Sequence, residues 1–341
     1  MKKILLIGLV LSVMFSIWAT GQGEGDAPSY PKGAITMIVP YGAGGTTDVT
    51  GRKFAVALQK QLKVPVTVVN QSGASGSVGA KAVLDAKADG YTIFYTADSL
   101  GTQRVMGISD MSYNDFTPIM AVVDDPKVIV VKGDSKYEDL EDLLNEMKNN
   151  PGKVKMSYTG PGGSGHVQGL IFEEQGYEMS MTAYSSGGDC IIAVLGDQVD
   201  FTNSNFSTIG KYLASGDLRL IGISALNRLP GYPDVPTLAE VDPAFTDFLS
   251  IPFTPLSLVV SKSIDPSVVK VLREASLKAV EDPDWIKFVN ENNLTELYKK
   301  YPTTEKILSF YDNWESIVTY LLHDAGATKY DPAKFGIKRI K

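Results

Sequence analysis

Gly42, Gly44 and Gly45 sit close together in T-M-I-V-P-Y-G-A-G-G-T-T-D-V-T-G-R, residues 36–52. An apolar run ends at Pro40, Tyr41 and Ala43 complete the turn, and Thr46, Thr47 and Asp48 lead into helical spacing. Glycines permit backbone conformations closed to other residues and let a guest approach the main chain. The free N–H groups of a helix start, with the positive end of its dipole, favour an anion there. Thr46, Thr47 or Asp48 can cap that helix. No lysine or arginine lies between Ile35 and Gly51, so N–H and hydroxyl groups would hold any such anion. Two nucleotide readings fail on spacing. Gly45 is followed by Thr46, Thr47 and Asp48, so G-x-G-x-x-G lacks its third glycine, and no Gly-Lys-Ser/Thr makes a Walker loop.

Similar turns recur. Asn70–Ser77 carries Ser75 and Gly76; Tyr158–His166 carries Thr159, Gly163, Ser164 and His166; Tyr184–Asp189 and Asn203-Ser204-Asn205 follow. Each stands after a strand pattern, and open α/β sheets bind ligands at the carboxyl ends of their strands. A hydrolase is the enzymatic alternative, because Gly162-Gly163-Ser164-Gly165-His166 approaches G-x-S-x-G. That stretch ends in His, and no local acid completes a Ser164/His166 pair, so no catalytic residue is expected. His166 is read as a packing or capping residue at a loop–helix junction, or as a ligand or hinge contact. Tyr41, Tyr158 and Tyr184 flank the glycine loops and would line a cleft or enter the core.

Two α/β blocks must position these turns. Strand patterns at Ile35–Val39, Val66–Val69 and Tyr91–Tyr95 alternate with helical spacing, which implies a parallel sheet with right-handed crossovers. The pattern restarts with a strand at Val128–Val131 and a charged amphipathic helix at Tyr137–Asn149. Further strands are expected at Val154–Tyr158, Met179–Ala183, Val199–Thr202, Leu218–Ile223 and Leu256–Val260. Helical segments over Pro266–Val280 and Thr304–Leu322 complete the chain. The expectation is two doubly wound α/β domains with a ligand cleft between them. The first comprises residues 30–126 plus about 256–341, and the second 127–255.

Composition narrows the function. A 341-residue chain that is 44% hydrophobic supports two cores. Lys2 and Lys3 precede an apolar run from Ile4 to Trp18, and Ala19-Thr20-Gly21 offers small residues at a cleavage point. Residues 1–21 are therefore expected to be a signal peptide and 22–29 a polar leader, giving an exported chain in a periplasmic or other extracytoplasmic compartment. Losing Lys2 and Lys3 moves the formal charge from −7 to −9. An acidic chain without basic runs argues against nucleic acid and anionic membranes as partners. The single cysteine, Cys190, excludes an internal disulfide and reads as a small buried hydrophobe. With only His166 and His323 beside it, no metal site or cofactor is expected.

Eight segments in register resemble the substrate-binding proteins of tripartite tricarboxylate transporters, the Bug or TctC-like family. They are Tyr30-Pro31, V-P-Y-G-A-G-G-T-T-D (39–48), V-V-N-Q-S-G-A-S-G-S-V-G (68–79), A-D-G-Y-T (88–92), N-P-G-K-V (150–154), G-S-G-H (163–166), L-G-D-Q-V-D (195–200) and Y-P-D-V-P-T-L-A-E (232–240). The resemblance implies a periplasmic binding protein fold of the type II style. It also implies a monomeric receptor that captures a small carboxylate (a di- or tricarboxylate, or an amino acid). The receptor would deliver it to an ion-gradient-driven permease of large (TctA-like) and small (TctB-like) subunits. Receptors of ATP-driven importers would share the fold, and the motifs separate the two. By resemblance the carboxylate falls to Tyr41, Gly42, Ala43, Gly44, Gly45, Thr46 and Thr47, with Ser75 and Gly76 nearby. Thr159, Gly163, Ser164 and His166 would face them. The chain departs from the family at Ser185-Ser186 and Asp189, and at the polar Asn203-Ser204-Asn205. Asp189 either faces the ligand, repelling a second carboxylate or pairing with an amino group, or caps its own helix.

Overall fold

The computed structural model describes residues 30–340; the expected leader segments lie outside them. Strands β1 (Ile35–Val39), β2 (Val66–Asn70), β3 (Thr92–Thr96), β4 (Phe116–Asp124), β10 (Pro255–Ser261) and β11 (Thr295–Glu296) form one sheet, ordered β11-β4-β10-β3-β1-β2. Strands β5 (Lys127–Lys132), β6 (Lys155–Thr159), β7 (Ser180–Tyr184), β8 (Phe201–Asn205) and β9 (Leu218–Ser224) form the second, ordered β7-β6-β8-β5-β9. This is a two-sheet α/β architecture, as expected.

The sheets are mixed rather than parallel. β1, β2 and β3 run together, as do β6, β7 and β8, but β10 is antiparallel to β3 and β4, and β5 is antiparallel to β8 and β9. The reason is topological. Only Asp125-Pro126 separates β4 from β5, so β5 starts where the chain crosses between sheets and must run away from that end. β10 starts likewise, after the return segment 225–254. Either crossing puts the following strand head to tail with its neighbours, whose carboxyl ends point back at the crossover.

β4 has no counterpart among the expected strands. Pro118 removes a ladder donor and demotes the run when read alone. In the sheet, Pro118 sits beside a register shift in the pairing with β10, where the missing N–H is tolerated.

The helices that start at the crossover end are α1 (Thr46–Leu62), α4 (Ser164–Glu174), α5 (Gly187–Leu195) and α6 (Phe206–Ser215). Between them come α2 (Ser77–Asp85) and α3 (Leu140–Asn149), and later α7 (Pro266–Ala279), α8 (Pro283–Glu291) and α9 (Thr304–Asp324). α3 begins three residues later than its spacing suggests because the Asp139 carboxylate caps it, accepting the Asp142 N–H. Its buried Leu140, Leu143, Leu144 and Met147 keep the helical spacing. α1 lies on the first sheet through Phe54, whose ring meets Trp285 of α8 edge-on at 5.2 Å and Tyr95 of β3 at 5.9 Å. In the second sheet's core Phe172 of α4 packs against Phe201 and Phe245 at 6.4 and 5.1 Å. Rings of this size buried from water contribute about 1.5–3 kcal/mol each and fix both helices over their sheets. No helix among the described residues is long and apolar enough to cross a membrane.

Candidate functional site

The first glycine loop is braced from behind. Asp48, in the first turn of α1, accepts the Gly44 N–H at 3.0 Å, the Arg52 guanidinium at 2.8 Å and the Asn70 amide at 2.9 Å. Burial alone would raise the Asp48 pKa, yet these donors hold it below the usual range. Asn70 also donates to the Tyr41 carbonyl at 3.0 Å. Gly44 takes a φ of +82°, which a side chain would strain. Gly45 is the N-cap residue with an ordinary φ of −82°. The cap expected from Thr46, Thr47 or Asp48 is not made: no side chain caps α1. Among the described residues, no protein acceptor takes the N–H of Thr46 or Thr47.

Helices α4, α5 and α6 start at the same place, but the protein fills their ends itself. The Ser164 N–H opening α4 donates to the Asp98 carboxylate, in a short bond from the loop after β3. Ser186 caps α5, its hydroxyl oxygen accepting the Asp189 N–H at 3.1 Å. At α6, Asp125 accepts both the N–H and the hydroxyl of Ser207, and the Thr46 hydroxyl as well. Of these four positive helix ends, α1 alone is left without an internal anion or hydroxyl cap.

Between them lies a cavity of about 50 Å³. It is lined from the first sheet's side by Tyr41, Gly45, Thr46, Thr47 and Asp98, and from the second by Tyr158, Thr159, Gly163, Ser164, Gly187, Cys190 and Asn203. Lys127, at the crossover, also lines it. The two sides are closed on each other. A Cβ on Gly45 would stand 3.2 Å from the Gly187 nitrogen, and one on Gly188 3.0 Å from the Ala43 oxygen. The Thr102 hydroxyl reaches the Gly162 carbonyl at 2.9 Å.

The sequence-derived residues divide accordingly. Tyr41, Gly45, Thr46, Thr47, Thr159, Gly163, Ser164 and Asn203 meet round the cavity. Ser75 and Gly76 line a neighbouring opening of about 350 Å³ that shares Tyr41 and Thr159 with it. Gly42, Ala43 and Gly44 build the loop and meet the Ser186–Gly188 turn, without lining the cavity. His166 also stays outside. Its Nδ1 accepts the Gly162 N–H at 3.1 Å, its ring stacks on Tyr158 at 5.1 Å, and burial lowers its pKa. It makes no hydrogen bond to Ser164, whose hydroxyl oxygen instead faces Thr254 at 3.4 Å. Asp189 is turned into its own loop, accepting the Ser185 and Ser186 hydroxyls at 2.6 and 2.9 Å. It does not line the cavity, and the cap of α5 is Ser186 rather than Asp189.

Two charged residues of the cavity carried no signal in the motifs. Asp98 follows the carboxyl end of β3, so the rule that located the glycine loops applies to it equally. Lys127 opens an apolar strand and reads alone as a solvent-facing start. Its Nζ donates to the Asn203 carbonyl and to Asn205 Oδ1, both at 3.1 Å. To the N–H and hydroxyl groups that the first loop offers, the crossover thus adds a lysine at the cavity. Burial pushes its pKa down and that of Asp98 up. Cys190 is buried as expected but lines the cavity, its Sγ 3.7 Å from Thr159 Oγ1. No cluster of three or more His, Cys, Asp or Glu among the described residues is placed to hold a metal ion.

Two mixed sheets closed round one cavity at their crossover define a solute-binding protein of the two-domain periplasmic type. Residues 50–318 match the family described as tripartite tricarboxylate transporter family receptor, TctC, and the chain belongs to that family. Protein BugT of Bordetella pertussis is 30% identical over 261 residues, covering 75% of this chain and 79% of BugT. The structure of the periplasmic binding protein BugD superposes with a TM-score of 0.81 at 25% identity, over 88% of this chain and 100% of BugD. MatC of Rhodopseudomonas palustris, solved with bound malate, shares the fold with a TM-score of 0.77 at 20% identity, over 86% of this chain and 100% of MatC.

Proposed function

We propose that this receptor captures a small carboxylate outside the cytoplasm and hands it to an ion-gradient-driven permease of the tripartite type, without catalysing a reaction. The ligand carboxylate lies against the Thr46 and Thr47 N–H groups, between a lobe made of 127–255 and a lobe made of the segments flanking it. The observation that carries this reading is the unfilled start of α1 at a cavity where three neighbouring helix starts have their own caps. Amide donors with an aligned helix dipole bind anions with no counter-ion. The cavity fits a small guest, since a water needs about 10–15 Å³ of such space. Support also comes from family membership and from the malate bound to MatC.

A thermal-shift screen of mono-, di- and tricarboxylates and amino acids tests it. A binder raises the unfolding free energy by RT ln(1 + [L]/Kd), about 2.7 kcal/mol at a hundredfold excess over Kd. At least one organic acid should do so. Stabilisation by sugars or metal ions with none by organic acids would remove the reading.

A further inference from the structure

Among the described residues, Asp98 and Lys127 are the only carboxylate and the only ammonium that line the cavity. Both are buried, 4% and 6% exposed. Lys127 spends two of its three protons on Asn203 and Asn205. Asp98 accepts the Ser164 N–H, and the Ser164 hydroxyl and its own N–H also lie against its carboxylate. Behind them stand two more carboxylates at the crossover. Asp124 accepts the Thr254 N–H at 2.8 Å, and Asp125 takes Thr46 and Ser207. The charge of Lys127 is thus shared among three carboxylates, Asp98, Asp125 and Asp124.

A carboxylate at the start of α1 is favoured by the helix end and by Lys127. A second carboxylate in so small a cavity would face Asp98 with no further cation to offset it, and like charges taken out of water repel strongly. An ammonium in that place would instead gain a charged acceptor. Resting on the carboxylate reading above, we infer that Asp98 selects a zwitterion: a ligand that pairs its carboxylate with a cationic nitrogen, an amino acid rather than a plain organic acid. Lys127 and the α1 amides hold the carboxylate and Asp98 the nitrogen. Asp98 is thus a specificity residue, in the role that the departure from the family pattern offered to Asp189.

The test is isothermal titration of the wild-type receptor at neutral pH. The panel is the standard amino acids with γ-aminobutyrate, beside straight-chain mono- and dicarboxylates of two to six carbons and L-malate. The tightest ligand is expected to bear an ammonium and to bind at least about tenfold more tightly than its analogue lacking the nitrogen, as γ-aminobutyrate against succinate or L-aspartate against L-malate. Asp98→Asn, which still offers an oxygen to Ser164, should erase that margin while circular dichroism shows an unchanged fold. A plain carboxylate as the tightest ligand overturns the inference and leaves the carboxylate reading standing. So does a margin unchanged in a folded Asp98→Asn. No binding by any member of the panel overturns both.

Discussion

The Thr46 hydroxyl donates to Asp125, and the same carboxylate oxygen accepts the Ser207 hydroxyl, so one acid of the crossover ties α1 of the first sheet to α6 of the second. Burial pushes the Asp125 pKa up to about 6 and that of its neighbour Asp124 to about 7. Folded values above the unfolded ones mean that the native state holds more protons between about pH 4 and 7. The stability tied to these protons is full below the unfolded pKa and is lost as pH rises through 6 and then 7. The melting temperature of the unliganded protein should therefore climb as pH is lowered from 8 towards 5, at up to about 1.4 kcal/mol per pH unit per group. Differential scanning calorimetry checks the slope. Asp124→Asn with Asp125→Asn should flatten it, and a melting temperature that falls steadily from pH 8 to 5 would refute the assignment.

Gly45 separates closure from folding. Its φ of −82° suits any residue, but a Cβ there meets the Gly187 backbone at 3.2 Å. Gly45→Val should keep the far-ultraviolet dichroism of wild type and lose at least about tenfold in affinity, a deficit of 1.4 kcal/mol. Small-angle scattering with saturating ligand should show the variant more open. Gly44→Val, at φ +82°, should lose stability as well.

Asp189 should be silent in ligand choice. Asparagine keeps one acceptor for the Ser185 and Ser186 hydroxyls, so Asp189→Asn is expected to cost about 0.5–1 kcal/mol of stability at most. The ranking of ligands in titration should not change; a changed ranking would place this side chain in the cavity after all.

Cys190 reports on occupancy. Its thiol lines the cavity and burial raises its pKa, so little of the reactive thiolate is present at neutral pH. Alkylation by iodoacetamide, followed by mass spectrometry, should be slow in the folded protein and slower still by several-fold with saturating ligand. Equal rates with and without ligand would place the ligand away from Cys190.

The glycine loops were legible because each feature acts locally: φ freedom at Gly44, a strand ending before it and a helix beginning after it. Their convergence was legible too, since all follow strand carboxyl ends. Lys127 and Asp98 were not. A lone charge at a strand terminus is ordinary surface in one dimension, and only the reversal of β5 at the crossover puts Lys127 in the interior. β4 was hidden by Pro118, whose fault in the ladder is absorbed by a partner that arrives more than a hundred residues later. His166 takes the packing place at the loop–helix junction that one of its readings offered. It shares a motif with cavity residues, but one helical step turns it towards Tyr158.

The strand order also dictates a schedule. The second sheet is built wholly from β5 to β9, residues 127–224, whereas β3 and β4 of the first are joined only through β10, residues 255–261. A chain made from its amino end can thus complete the later sheet while the earlier one is still split in two. During that interval the apolar edges of β3 and β4, with Ile93, Phe94, Ile119 and Val122, lack their native neighbour and are open to wrong pairing. A pause in synthesis before residue 255 prolongs that exposure.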